Sequence, residues 1–309
     1  MKKEKLRVTE RSLIHTHNAD LMSVRELLKI INEEDKKVPK AVEKAIPSIE
    51  KAVNAIVKCF KKGGRLFYIG SGTSGRLGIL DASECPPTFG VSPDMVQGII
   101  AGGRKAVFRS VEQTEDNAEE AVKDLKKVNF SSKDILCAIS ASGSAPYVLG
   151  AVKYAKKRKA VTIGIACNDP SELLSNSDIT VAVIVGPEVL SGSTRLKAGT
   201  ATKLVLNMLS TVSMIKSGKS YGNLMVDMKP SNEKLKKRAL KMLKEIIGKS
   251  DEESAEILEK SKFNLKVAAL MGLSDVDKVS AQKILNSSEG NLRVAISKLM
   301  SKKLPINKI

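Results

Sequence analysis

With both histidines in the N-terminal arm, acid/base chemistry in the core of this chain must come from carboxylates, lysines or tyrosines, and two glutamates stand where helix ends would tune a carboxyl. Glu84 sits in the string Asp81-Ala82-Ser83-Glu84-Cys85-Pro86-Pro87-Thr88, and Glu115 opens Glu115-Asp116-Asn117. A helix runs toward the first string and should stop at Pro86-Pro87, because proline has no N–H and its ring collides with the preceding turn. Glu84 is then expected at a helix C-terminus, where the partial negative charge of the helix makes a carboxyl hold its proton, as a general acid must. Glu115 is expected in the first turn of the following helix, capped by Thr114 or an earlier residue, where a carboxylate is favoured in its ionised form. A solvated helix-end glutamate and a dipole-compensating first-turn glutamate account for the same two residues without chemistry.

Three turns supply groups that bind anions. Gly70-Ser71-Gly72-Thr73-Ser74-Gly75 follows the apolar run Leu66 to Ile69 and precedes a helical pattern. The backbone donors and hydroxyls of Ser71, Gly72, Thr73 and Ser74 would thus meet a helix N-terminus, a setting that suits a phosphoryl group. Ser140-Ala141-Ser142-Gly143-Ser144 stands in the same relation to the run ending at Ile139. The third turn includes Glu188 and Ser193 and leads through Thr194-Arg195-Leu196-Lys197 into a long apolar helix, which suits contacts to an anion or to sugar hydroxyls. Neither of the first two turns has the Gly-x-x-x-x-Gly-Lys-Ser/Thr form of a nucleotide loop. Gly70, Gly72 and Gly75 have dinucleotide spacing, but the next apolar run ends in Gly102-Gly103 and not in a ribose-binding acid, so a phosphorylated small molecule is the better ligand.

Other chemistries are disfavoured by residue usage. Cys59, Cys85, Cys137 and Cys167 are far apart, with no Cys-x-x-Cys pair, which fits reduced thiols and neither zinc nor disulfides. Both histidines, His15 and His17, lie in the N-terminal arm, so the core alone cannot build a Ser-His-Asp or multi-histidine site. The net charge of +18 comes mostly from dispersed lysines without interleaved aromatics, which reads as a solvated surface and not as a nucleic-acid footprint. There is no apolar run of membrane-spanning length and no signal-like segment, so a cytoplasmic protein is expected.

The elements that must position these residues follow from periodicity. Apolar runs at Leu66 to Ile69, Val96 to Ala101, Asp134 to Ile139, Val161 to Ala166 and Ile179 to Val185 alternate with helical segments, the pattern of a five-stranded parallel sheet, doubly wound (αβα). In such folds ligands bind beyond the carboxyl ends of the strands, where these turns fall. Residues 1 to 62 read as an arm and packing helices, with a helix start at Asn18 to Asp20 and Pro47 kinking or breaking the second helix. Residues 63 to 228 form the α/β core, and 229 to 309 a small all-helical module.

Taken together, the turn Gly70 to Gly78, the Asp81 to Thr88 string, Glu115 to Asn117, Ser140 to Gly143 and Gly192 to Thr200 resemble the N-acetylmuramic acid 6-phosphate etherases of the sugar isomerase (SIS) superfamily. The likeness covers about Ile31 to Asp227, and the tail resembles that family's ubiquitin-associated-like module. The resemblance implies an SIS-type fold and cleavage of a D-lactyl ether without metal or organic cofactor. It also implies Glu84 as proton donor, Glu115 as its catalytic partner, and a homodimer with sites near the subunit interface. A sugar-phosphate sensor and a phosphosugar isomerase of the same superfamily would keep the turns without needing both glutamates.

Overall fold

The computed structural model describes residues 7–228, 230 and 232–303. Three short 3-10 turns (Val8–Glu10, Ile14–Thr16 and Ala19–Leu21) precede α1 (Val24–Asp35) and α2 (Lys37–Lys61). Then come β1 (Leu66–Gly70), α3 (Gly72–Phe89), β2 (Val96–Ile100), α4 (Gly103–Phe108), α5 (Ala118–Lys127), β3 (Ile135–Ile139) and α6 (Pro146–Lys157). The sheet ends with β4 (Val161–Ala166), α7 (Glu172–Asn176) and β5 (Ile179–Ala182), and α8 (Lys197–Lys216) follows. Five more helices complete the chain: α9 (Glu233–Ile247), α10 (Asp251–Lys260), α11 (Leu265–Ser274), α12 (Lys278–Asn286) and α13 (Leu292–Lys303). By contacts the chain divides into two compact units, Met1–Ser83 with Pro93–Ser213, and Glu84–Ser92 with Met214–Ile309. The boundary expected at 228/229 falls beside Lys229 and Ser231, which lie outside the described residues.

In the first unit the strand order is β2-β1-β3-β4-β5 and every pairing is parallel. The order reverses between β1 and β3, so the crevice beyond these two strands is the switch point at which doubly wound sheets bind ligands. The central strands β1 and β3 are buried on both faces, which explains their continuous apolar runs, while the edge strands β2 and β5 are only partly covered. Phe67, Ile69, Leu136 and Ala138 pack against Tyr147, Val148, Ala151 and Val152 of α6 and against Ala121 and Leu125 of α5. In the second unit, the buried Lys266 ammonium ties Asp227 to the carbonyls of Gly218 and Gly290.

Three local expectations are corrected. α1 starts after Ser23, not at Asn18: Ser23 and Glu26 form a reciprocal capping box. α2 passes through Pro47 without breaking. That proline is on the exposed face, so the carbonyl of Glu43, deprived of its helical N–H, faces water. α3 likewise continues through Pro86 and Pro87 to Phe89 and closes with the Gly90 N–H on the Pro86 carbonyl at 2.9 Å. Gly90 has φ +62°, and a Cβ there would lie 2.1 Å from the Asp227 carbonyl oxygen, so only glycine fits this stop.

Candidate active site

A cavity of about 310 Å³ opens at the switch point. One wall is the first turn after β1, with Ser71, Gly72, Thr73 and Ser74 all on its surface. Two glycines of that turn serve packing: a Cβ on Gly70 would sit 2.7 Å from the Gly75 nitrogen, and one on Gly75 would meet Ile100 at 2.6 Å. Gly70 and Gly75 thus let β1, β2 and α3 come close together, whereas Gly72, with φ +50° and nothing within 4 Å of a Cβ, answers to the backbone conformation of the turn. α3 is fixed from beneath by Asp81, a buried carboxylate that accepts from Tyr68 Oη (2.9 Å), Asn207 Nδ2 (2.7 Å) and Ser210 Oγ (3.1 Å). Burial raises the Asp81 pKa even though these three donors oppose it.

The second wall is the turn after β3, where Ser140, Ala141 and Ser142 line the cavity. Its hydroxyls are ordered: Ser140 Oγ and Ser142 Oγ are 3.2 Å apart, the Gly143 N–H donates to Ser140 Oγ (3.1 Å), and Ser144 Oγ donates to Ser142 Oγ (3.1 Å). Ser144 therefore supports the turn and is not itself on the cavity surface. Glu115 also lines the cavity. Its position corrects the expectation, since it lies in the turn before α5, whose N-cap is Asn117 with a side chain accepting the Glu120 N–H. Glu115 is anchored through its backbone, the Tyr147 N–H donating to its carbonyl at 2.9 Å.

The third turn contributes Gly192 and Thr194, and the start of α8 adds Gly199 and Thr202. Ser193, between two lining residues, does not itself line the cavity. Glu188 has another task than substrate contact. Its buried carboxylate accepts the N–H groups of Lys197 and Ala198, each at 3.0 Å, and so caps the first turn of α8. The cap adjoins a second buried pair, in which Lys197 Nζ meets Glu34 Oε2 at 2.5 Å and Lys37 Nζ meets Glu34 Oε1 at 2.6 Å. Burial would raise the Glu34 pKa, but the two lysines outweigh it and hold the carboxyl below its ordinary value.

Glu84 is exposed on α3, five residues before the helix ends at Phe89. The helix-terminus setting expected for it is absent, because the prolines do not stop the helix. The cysteines are all buried, Cys85 included, and none offers a surface nucleophile.

Sequence reasoning missed the N-terminal arm. Glu10 lines the cavity, and Thr9 is almost completely buried against Asn168. No periodicity marks residues 7 to 12, so nothing in the sequence signalled this; residues 1–6 lie outside the described residues. Among the described residues, no lysine or arginine lines the cavity. An anion there would be met by hydroxyls, backbone N–H groups and the N-terminus of α3, means by which phosphate is held without a cation.

The five-stranded parallel sheet with its hydroxyl-rich turns at the switch point is the α/β domain that two SIS family models match. The model for the glucokinase regulatory protein N-terminal SIS domain matches residues 48–156, and the SIS domain model matches residues 106–212. Over 289 residues the chain is 52% identical to an N-acetylmuramic acid 6-phosphate etherase of Caldanaerobacter subterraneus, covering 94% of both chains. It is 52% identical to that of Actinobacillus pleuropneumoniae, and 50% identical to that of Clostridium botulinum strain Hall over 292 residues, 94% of this chain and 97% of the relative. The chain belongs to the N-acetylmuramic acid 6-phosphate etherase family. A solved phosphoheptose isomerase from Neisseria gonorrhoeae is similar over 62% of this chain and 98% of its own, at 17% identity and a TM-score of 0.48.

Proposed function

We propose that this protein cleaves the D-lactyl ether of N-acetylmuramic acid 6-phosphate, giving N-acetylglucosamine 6-phosphate and D-lactate, in the catabolism of cell-wall amino sugars. The carrying observation is about 50% identity over 94% of the chain to etherases, joined to a switch-point cavity lined by Glu115 and by both hydroxyl cradles. Ring opening exposes a C1 aldehyde, which acidifies the C2 proton. Glu115 takes that proton as base, the C3–O bond breaks, and Glu84 gives a proton to the departing lactyl oxygen. Water then adds to the resulting double bond: its oxygen bonds to C3 as Glu84 takes one of its protons, and Glu115 returns the proton it had removed to C2, so both glutamates regain their starting states. Ser71 to Ser74 and Ser140 to Ser142 hold the 6-phosphate and ring hydroxyls, so binding energy remote from C2 and C3 fixes the reacting geometry.

The reading includes a cytoplasmic homodimer with its sites near the subunit interface. In support, Val24, Leu28 and Ile31 are exposed at helical spacing on α1. It also includes the division into 1–62, 63–228 and 229–309, and independence from metal ions and organic cofactors. The test is D-lactate release by the purified chain with and without chelator, beside Glu84→Gln and Glu115→Gln. Release should resist the chelator and fall by about 10²- to 10⁴-fold in each variant, the usual span for losing one acid/base group. Undiminished turnover in either variant would remove that glutamate from the mechanism.

A further inference from the structure

The arm reaches the cavity through one buried relay. Asn168 follows β4, and its side chain is 2% exposed. Its Oδ1 accepts the Thr9 N–H (3.2 Å), while its Nδ2 donates to Thr9 Oγ1 (2.9 Å) and to the carbonyls of Ala141 (3.1 Å) and Ser142 (3.3 Å). The amide thus clips the arm to the backbone of the second cradle. Because Thr9 Oγ1 already accepts from Asn168, its own hydrogen is free to point onward, and it is donated to Glu10 Oε1 at 3.3 Å. The relay Asn168 to Thr9 to Glu10 therefore has a fixed direction and ends on a carboxylate that lines the cavity. The arm is held on either side of this point. Arg7 Nη1 donates to Ser144 Oγ at 2.6 Å, and Ser12 Oγ meets Ser191 Oγ of the third turn at 3.3 Å.

A carboxylate in this place cannot hold the phosphate or the lactyl group, since like charges repel. It can only accept a hydrogen bond from a neutral donor on the sugar, a hydroxyl or the acetamido N–H. A site built to receive such a donor discriminates strongly against ligands lacking it, because the acceptor would be left unpaired. We infer that Glu10 is a specificity-determining residue, the acceptor for a sugar donor group, and that Thr9 and Asn168 position it. The inference rests on the phosphosugar reading of the cavity and adds to it a residue for the sugar as distinct from the phosphate.

The test is calorimetric titration of the full chain with N-acetylglucosamine 6-phosphate and, separately, with inorganic phosphate. Glu10→Ala should weaken the sugar phosphate 10-fold or more, while phosphate binds unchanged or tighter because a repelling charge has gone. Glu10→Gln, which retains an acceptor oxygen, should recover most of the loss. Thr9→Val keeps the shape of the relay without its hydroxyl and should weaken only the sugar phosphate, by about threefold or more. The inference is overturned if Glu10→Ala binds the sugar phosphate like wild type, or if both ligands weaken equally, as a merely structural defect would have it. Wild type that binds the sugar phosphate but releases no D-lactate sinks the etherase reading alone; wild type that does not bind it overturns both.

Discussion

Replacing Glu188 separates a helix cap from a substrate contact. Its carboxylate is 1% exposed and takes two N–H donors of the first turn of α8 at 3.0 Å each. Hydrogen bonds to a charged group are worth roughly 1.5–3 kcal/mol each. Glu188→Ala removes two, so the loss spans roughly 3–6 kcal/mol before a water entering the vacated space recovers part of it. A net loss of about 3 kcal/mol is expected, a large share of a domain's typical 5–15 kcal/mol. Glu188→Gln keeps the volume and one acceptor but turns an NH₂ group toward the second backbone N–H, at a cost of about 2 kcal/mol. Urea unfolding of both variants, followed by circular dichroism, measures this directly, with titration of the folded proteins by N-acetylglucosamine 6-phosphate alongside. If both variants unfold at the wild-type urea concentration and bind the sugar phosphate more weakly, Glu188 is a ligand contact and the capping argument is wrong.

Two further outcomes follow from burial. Asp134 accepts from Arg65 Nε (3.0 Å) and Nη2 (2.9 Å) and from the Ser131 N–H (2.8 Å). Burial raises its pKa, but these partners overcome that and leave it below the ordinary carboxyl value. The stabilisation is therefore complete above the unfolded carboxyl pKa of about 4 and is lost as pH falls through the lower folded value. Asp134→Asn should cost about 2–4 kcal/mol at pH 7, discounted because Arg65 is partly exposed, and the gap to wild type should narrow at pH 3; unfolding curves showing a constant or widening gap would refute this. Burial also pushes the Cys59 thiol up to about 11 and the Cys167 thiol up to about 12, the latter with help from Glu188, and raises Cys137 as well. At pH 8 the native chain should resist iodoacetamide for an hour while all four thiols label in urea, and rapid stoichiometric labelling of the native chain, read by mass spectrometry, would count against it.

The sheet was legible because a buried parallel strand declares itself locally: five short apolar runs, each ending in small or hydroxyl-bearing residues, are the five strands. The helix ends at prolines were not legible. Pro47 and Pro86-Pro87 obey the rule that proline withholds an N–H, but whether that breaks a helix depends on what meets the orphaned carbonyl. At Pro47 it is water on the exposed face, a fact of packing that spacing does not encode. The same ambiguity moved Glu84 from a helix end to a position within α3. Any proton-donor role for it must then draw on its surroundings in the bound complex and not on the end of its own helix.

The site divides in the same way. Ser71 to Ser74 and Ser140 to Ser142 were legible because strand, turn and helix are contiguous, so placing one strand places its cradle. Glu188 and Glu10 exchanged roles for want of long-range information. Glu188 lies in a turn that resembles the cradles, yet it is turned inward by two N–H groups nine and ten residues later. Glu10 lies in an aperiodic arm, yet it reaches the cavity because Asn168, 159 residues beyond Thr9, holds that arm down. An acidic residue near such a cavity is thus sorted by what occupies its oxygens. Where backbone donors fill both, the carboxylate shapes a helix; where the partner among the described residues is a single hydroxyl, as at Glu10, it has capacity left for a ligand.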